Sequence, residues 1–192
     1  MSNLAFDQSF EPQDALRDDL QTLQTLRPVP RVSIQAFCET EAVASPIERA
    51  GTDRRMAKTH LKIHMGGIAS ALDVYASAPT PNLIILESRA QPRELGEQLR
   101  QLAEFCDPTS KVVVIGHYND VGLYRDLIRS GISEYMVAPI SMADIVGVIS
   151  GIFVDPEAGP IGRTIAFVGA KGGVGSSTVA HNVAWSASTL FS

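Results

Sequence analysis

The residues best suited to chemistry run from Phe167 to Thr178, Phe-Val-Gly-Ala-Lys-Gly-Gly-Val-Gly-Ser-Ser-Thr. Glycines at 169, 172, 173 and 175 let the backbone curl until successive N–H groups converge on one anion. An apolar run from Thr164 to Val168 leads in, and helix-compatible sequence from Thr178 to Leu190 follows. Strand, glycine-rich turn and helix, in that order, is the context of a phosphate-binding loop, because the helix N-terminus adds partial positive charge. A hydroxyl at the start of that helix can ligate the Mg²⁺ that accompanies a nucleotide. The usual spacing is G-x-x-x-x-G-K-[ST]. Here Ala170 stands at the first glycine position and Ser176 at the lysine position, while a different lysine, Lys171, opens the loop.

Other polar candidates are sparser. His60 and His64 share one face of an expected strand, half of a metal site without a third ligand, so a strand surface is the plainer reading. His117 and Asp120 fall near the end of another expected strand and could line a pocket there. His181 reads as an ordinary residue of the helix after the loop. Cys38 and Cys106 lie far apart, in no metal or redox spacing, and read as buried, reduced thiols.

The elements that must position these residues alternate regularly from Arg31 onward. Val32 to Phe37 alternates apolar and polar residues as a strand does, and a helix is predicted around Pro46 to Met56. His60 to Met65 alternates again before Gly66-Gly67, and Ile68 to Ala78 is helical in composition. Leu83 to Leu86 is a buried central strand. Pro92 opens a helix whose apolar face is Leu95, Leu99, Leu102 and Phe105. Val112 to Ile115 is the next buried strand. Asp120 caps a helix carrying Leu123, Leu127 and Ile128, closed by Gly131. Ile132 to Val137 is a fifth strand, and Ser141 with Asp144 forms a capping box before Ile145, Val148, Ile149 and Ile152. Strands and helices alternating in this way predict an α/β, doubly wound, parallel five-stranded domain of flavodoxin-like type over residues 31–154.

Residues 1–30 read as a mostly disordered tail with breakers at Pro12, Pro28 and Pro30. Within it Leu16, Leu20, Leu23 and Leu26 recur at helical spacing, as a short helix packed on its own domain or a partner-docking helix would require. Residues 155–162 form a linker, and 163–192 hold one strand, the loop and one helix of a second domain. Only 14 residues follow Thr178, so the 192-residue chain is expected to be a fragment without the later carboxylates of a competent ATPase.

Composition narrows the classes. A hydrophobic share of 45% with 19% charged residues is ordinary for a globular protein. A net charge of −5 argues against a nucleic-acid-binding surface. No apolar run approaches the roughly 20 residues of a membrane span, and the N-terminus lacks the blocks of a signal peptide, so a cytoplasmic protein is expected.

The loop Lys171-Gly172-Gly173-Val174-Gly175-Ser176-Ser177-Thr178 resembles the deviant Walker A motif of the ParA/MinD family of ATPases. That resemblance implies ATP and Mg²⁺ as cofactors of the full-length protein, with Lys171 reaching a partner subunit's phosphates across a nucleotide-sandwich dimer. It further implies that Gly172 to Ser176 cradle phosphate, that Ser177 ligates Mg²⁺ and that Thr178 contacts phosphate. The layout of residues 31–154 resembles the receiver domain of bacterial response regulators. A working receiver carries paired acids after its first strand, a phosphoryl-accepting aspartate after the third, a hydroxyl after the fourth and a lysine after the fifth. Here those positions hold Cys38-Glu39, Glu87, Gly116 and Ala138, so the resemblance implies a site that takes no phosphoryl group and binds no cofactor. Glu87 would then either imitate a phosphorylated aspartate or remain as a solvated surface acid.

A receiver-like domain followed by this loop is similar to the CpaE/TadZ family of pilus-assembly proteins. The resemblance implies a factor for type IVb (Flp/Tad) pilus assembly, located at a cell pole, contacting pilus or secretion assembly proteins and forming a homodimer. Receivers commonly self-associate through the face around Ile128 to Ile149. Three other classes remain: a DNA-partitioning ParA-like ATPase, a phosphorylation-dependent response regulator, and a flavodoxin-like small-molecule enzyme.

Overall fold

Short β-branched runs and amphipathic stretches take turns along this chain, and the computed structural model turns them into one parallel sheet covered on both faces. It describes residue 26, residues 28–153 and residues 166–191, which fall in two compact units, Met1–Ala158 and Gly159–Ser192. The sheet comprises β1 (Ser33–Cys38), β2 (His60–Met65), β3 (Leu83–Glu87), β4 (Lys111–Gly116) and β5 (Glu134–Val137). Their spatial order is β2-β1-β3-β4-β5, and every adjacent pair is parallel. The helices between them are α1 (Glu41–Gly51), α2 (Gly67–Tyr75), α3 (Pro92–Ala103), α4 (Val121–Arg129) and α5 (Met142–Phe153).

Two apolar layers hold the sheet. Ile34, Ile85, Val113 and Ile115 pack with Val43 and Ile47 of α1 and with Ile145 and Ile149 of α5. Across the sheet, Phe37, Ile84, Leu86 and Val114 pack with Ile68 of α2, Leu95 and Leu99 of α3 and Leu127 of α4. β3 is buried along its whole length because both faces are covered, as its uninterrupted apolar run requires. The doubly wound, flavodoxin-like architecture expected from the alternation is therefore the one formed.

Boundaries depart from the sequence reading where packing or turn chemistry intervenes. The first helix starts at Glu41, five residues before the expected Pro46, because Val43, Ala44 and Ile47 bury one face and outweigh the interior proline. Residues 54–56 form a separate 3₁₀ turn. α3 ends at Ala103, which leaves Phe105 outside the helix and 45% exposed. β5 begins at Glu134 and not at Ile132, because the Ile132 N–H donates to the Leu127 carbonyl that closes α4. On α4 only Leu127 is buried, and Ile128 is exposed. The capping box forms as read: Ser141 N–H donates to Asp144 Oδ2 at 2.8 Å, and Asp144 N–H to Ser141 Oγ at 3.2 Å.

In the second unit, residues 166–168 are not in a strand, against expectation, since no second strand among the described residues of that unit is there to pair with them. Helix α6 (Ser176–Phe191) begins at Ser176, two residues before the expected Thr178. The leucines at 16, 20 and 23, the 155–162 linker and the first residues of the expected strand at 164 lie outside the described residues.

Asp120 caps α4 through one oxygen, which accepts from Gly122 N–H at 2.6 Å and Leu123 N–H at 3.0 Å. Replacing it by alanine removes both bonds from a helix with little burial to compensate. Asp120→Ala is expected to cost about 1 kcal/mol in a urea titration, and an unchanged midpoint would contradict the assignment.

Candidate functional site

Parallel strands bring their carboxyl ends to one edge of the sheet, and here the turn after β1, the last residue of β3 and the first residue after β4 meet there. Glu87 ends β3 in register with Ile115 of β4, and its side chain is fully buried. A buried carboxyl group needs every acceptor position filled. Oε2 accepts the backbone N–H of Glu39 at 2.7 Å and of Thr40 at 2.8 Å. Oε1 accepts the Thr40 hydroxyl at 2.7 Å and lies 3.2 Å from His117 Nε2. Thr40 is the N-cap of α1, yet its hydroxyl makes no bond to its own helix, because it donates to Glu87 instead. The carboxylate thus sits against the positive end of α1, where negative charge is favoured. Glu87 is not a solvated surface acid; the turn after β1 closes over it.

The other receiver positions are also committed. Cys38 is buried, and burial first, then the negative charges of Glu87 and Glu41, pushes its thiol up to about 12, which keeps it protonated. Glu39 is exposed and accepts the Arg89 N–H at 3.3 Å. Gly67, at φ +57°, begins α2 beside these acids: a Cβ there would lie 2.7 Å from Glu39 Cγ and 3.2 Å from the Glu87 carbonyl oxygen. Ala138 supplies only its backbone N–H, which donates to the Gly116 carbonyl at 2.8 Å, and precedes Pro139 through a cis peptide.

At Gly116, where a hydroxyl residue was the family's expectation, the ring of Tyr135 takes the space. A Cβ on Gly116 would lie 2.1 Å from the Tyr135 hydroxyl oxygen and 2.6 Å from ring carbons. The same hydroxyl donates to the Tyr118 carbonyl at 2.8 Å and ties the β4–α4 turn to β5. Burial raises the Tyr135 phenol above its ordinary value, so the hydroxyl stays a donor.

The structure brings Glu39, Glu87, Gly116 and Ala138 to one end of the sheet and adds Thr40, Gly67, His117 and Tyr135. Thr40 and Tyr135 escaped sequence reading. A hydroxyl directly before an acidic first turn, and an aromatic three residues before the Ala-Pro pair, were the signals available. His117 belongs to this cluster, whereas Asp120 is engaged in capping α4. His64 is no plain surface residue: it is half-buried and stacks on Phe37 at 4.9 Å and 14°, while His60 is exposed. Among the described residues no group of three or more His, Cys, Asp or Glu is placed to hold a metal ion. A cavity of about 850 Å³ lies between α3 and α4, floored by Leu99, Leu102, Leu123 and Leu127.

In the second unit, two glycines turn the loop sharply before the helix that follows it. Gly173 and Gly175 adopt φ of +80° and +83°, in the left-handed region. A Cβ on Gly169 would come within 2.7 Å of Val174 Cγ2 and 3.1 Å of Ser176 Oγ, so the loop's two ends touch. Among the described residues, nothing lies within 4 Å of the Cβ positions of Gly172, Gly173 and Gly175. α6 starts directly after it, so the N–H groups of Ser176, Ser177 and Thr178 sit in the first turn of a helix. The residues fit a nucleotide phosphate, with Lys171 on the loop and the Ser177 hydroxyl in that first turn. His181 is exposed on α6.

Two substitutions test the site. Glu87→Ala strands two N–H groups, a hydroxyl and an imidazole, and is expected to cost about 3 kcal/mol in denaturant unfolding. Gly116→Ser is expected to cost about 1–3 kcal/mol, and markedly less when Tyr135 is already alanine. Equal costs in both backgrounds would contradict the packing described.

A scan of family models returns no match, and neither does a comparison with curated proteins. Solved structures do match. The pilus assembly protein CpaE from Caulobacter crescentus CB15 is 38% identical, with a TM-score of 0.66, over 67% of this chain and 98% of that one. A CpaE2 pilus assembly protein from Sinorhizobium meliloti 1021 is also 38% identical, with a TM-score of 0.60, over 62% of this chain and 97% of that one. A LuxR-family two-component response regulator from Aurantimonas sp. SI85-9A1 is 14% identical, with a TM-score of 0.50, over 64% of this chain and 84% of that one. That last likeness establishes the receiver fold alone. With these two relatives 38% identical and spanned almost end to end, the chain belongs to the CpaE family of pilus assembly proteins.

Proposed function

We propose that this chain acts in pilus assembly of the type IVb (Flp/Tad) kind through a receiver-shaped domain that serves as a binding surface and not as a phosphorylation switch. The observation that carries this reading is the buried Glu87 carboxylate, whose oxygens are filled by Glu39, Thr40 and His117. Phosphoryl transfer needs an acceptor aligned with the donor, a cation clamp and a group to receive the charge. Glu87 is closed to a donor, Cys38 stands in place of an acid, Ala138 in place of a lysine, and Gly116 offers no hydroxyl. The receiver-shaped domain then works by presenting surface, with its sheet-end site locked in one state. The exposed apolar residues Val121, Tyr124 and Ile128 on α4 and Val137 on β5 suit self-association or contact with assembly partners at a cell pole.

The second unit binds ATP in the same reading. Gly172 to Ser176 surround phosphate with N–H groups, Thr178 adds a contact, and Ser177 holds the Mg²⁺ that comes with the nucleotide. Mg²⁺–ATP supplies negative charge for Lys171 to bind across a dimer. Nucleotide state would then govern association.

Three measurements check the proposal. Incubation with a small phosphodonor is expected to leave the intact mass unchanged, and a stoichiometric phosphoryl adduct would overturn the locked-site reading. Lys171→Ala is expected to abolish ATP-driven dimerisation seen by light scattering, and wild-type indifference to ATP would contradict the nucleotide role. Removing the protein from cells that make such pili is expected to remove surface pili, and normal piliation would refute the assembly role.

A further inference from the structure

The cavity between α3 and α4 is a trough that runs along both helices. α3 lines it from Pro92 to Ala103, its whole 12-residue length, and α4 lines it from Asp120 to Ser130. A helix of that length spans about 18 Å. The floor is apolar: Leu99, Leu102, Val112, Leu123, Leu127 and Ile132. Gly96 and Ala103 on α3 and Gly122 on α4 keep both banks low. An apolar trough of this size with a few charged groups on its rim is a common form of binding site.

Those charged groups are sorted by sign. Arg93 and Arg100 stand on α3, and Asp120 and Asp126 stand on α4. Asp107, in the turn after α3, adds another carboxylate at one end. Arg100 and Asp126 also sit in exposed pairs with Glu97 and Arg129, contacts weak enough to be exchanged for those of a partner. α4 is thereby divided. Leu123 and Leu127 face the trough, whereas Val121, Tyr124 and Ile128 are exposed outside it.

An extended peptide has no ladder to join here. The strand beneath, β4, already pairs with β3 on one side and β5 on the other. A helix satisfies its own backbone and needs only an apolar stripe to lay on the floor. We propose that the trough receives one amphipathic α-helix of a partner protein, about three turns long. Its acidic edge meets Arg93 and Arg100, and its basic edge meets Asp120 and Asp126. Opposite charges on the two banks select such a helix and fix the direction in which it lies. A helix bound there leaves the sheet-end site and β5 uncovered.

Two designed fluorescent helices of about four turns, both with a leucine stripe, test this on the full chain. The first carries glutamates on one edge and lysines on the other; the second carries lysines on both. In anisotropy titrations the wild type is expected to bind the first saturably, and at least about tenfold more tightly than the second. In an Arg93→Glu, Arg100→Glu double variant, where both banks are acidic, that preference is expected to reverse. Cys106 lines the trough, and the other cysteine, Cys38, is buried. The first helix at about ten times its Kd is therefore expected to slow modification of Cys106 by N-ethylmaleimide about tenfold. Among the described residues, nothing lies within 4 Å of the Cβ position of Gly96, so Gly96→Trp fills the trough and not the core. That variant is expected to lose binding while melting no lower than wild type, since glycine is the poorer helix former. No saturable binding by the wild type, an unchanged preference in the double variant, or an unprotected Cys106 would overturn the proposal. Protection of Cys106 that rises with protein concentration, without peptide, would also overturn it by giving the trough to a second copy.

Discussion

The buried carboxylate of Glu87 constrains everything around the carboxyl edge of the sheet. A carboxyl group with no solvent contact must be paired on all sides, and the pairing dictates the backbone path from Cys38 through Thr40, the start of α1 and the orientation of His117. The turn after β1 cannot open without stranding those oxygens. In a receiver-shaped fold this is the place where a metal and a phosphoryl group would need room. The chain has used that room for its own hydrogen bonds.

A second substitution acts in the same direction. Without a side chain at Gly116, Tyr135 lies inward with its hydroxyl on the Tyr118 carbonyl, and the β4–α4 turn is tied to β5 in one arrangement. An aromatic ring and a side chain at position 116 cannot share that volume. Loss of the hydroxyl and fixing of the tyrosine are one structural event. Together with Glu87 they fill the carboxyl edge of the sheet with the chain's own groups, and in the function proposed above it is the helix surfaces that recognise other proteins.

Much of the fold was legible because burial on both faces leaves a plain trace in sequence: Leu83 to Leu86 and Val112 to Ile115 have no other stable place than the middle of a parallel sheet. Local chemistry was legible too, as Asp120 and the Ser141–Asp144 pair show. The partners of Glu87 were not. They depend on how the turn after β1 packs against β3, 48 residues away for Glu39, and no local pattern records that contact. The start of α1 was misread because Pro46 is a local signal and the burial of Val43 and Ile47 is not. Tyr135 was hidden for a related reason: its role lies in the absence of atoms at Gly116, on the neighbouring strand.

The most direct test of the sealed site is a nitrogen-15 NMR titration with Mg²⁺ and beryllofluoride, a phosphoryl mimic, following the amides of Glu39, Thr40 and Glu87. With Glu87 filling the site, those amides should hold their positions at every concentration. Saturable shifts confined to them would mean that the site opens to metal and phosphoryl, and the account of a locked receiver would fail.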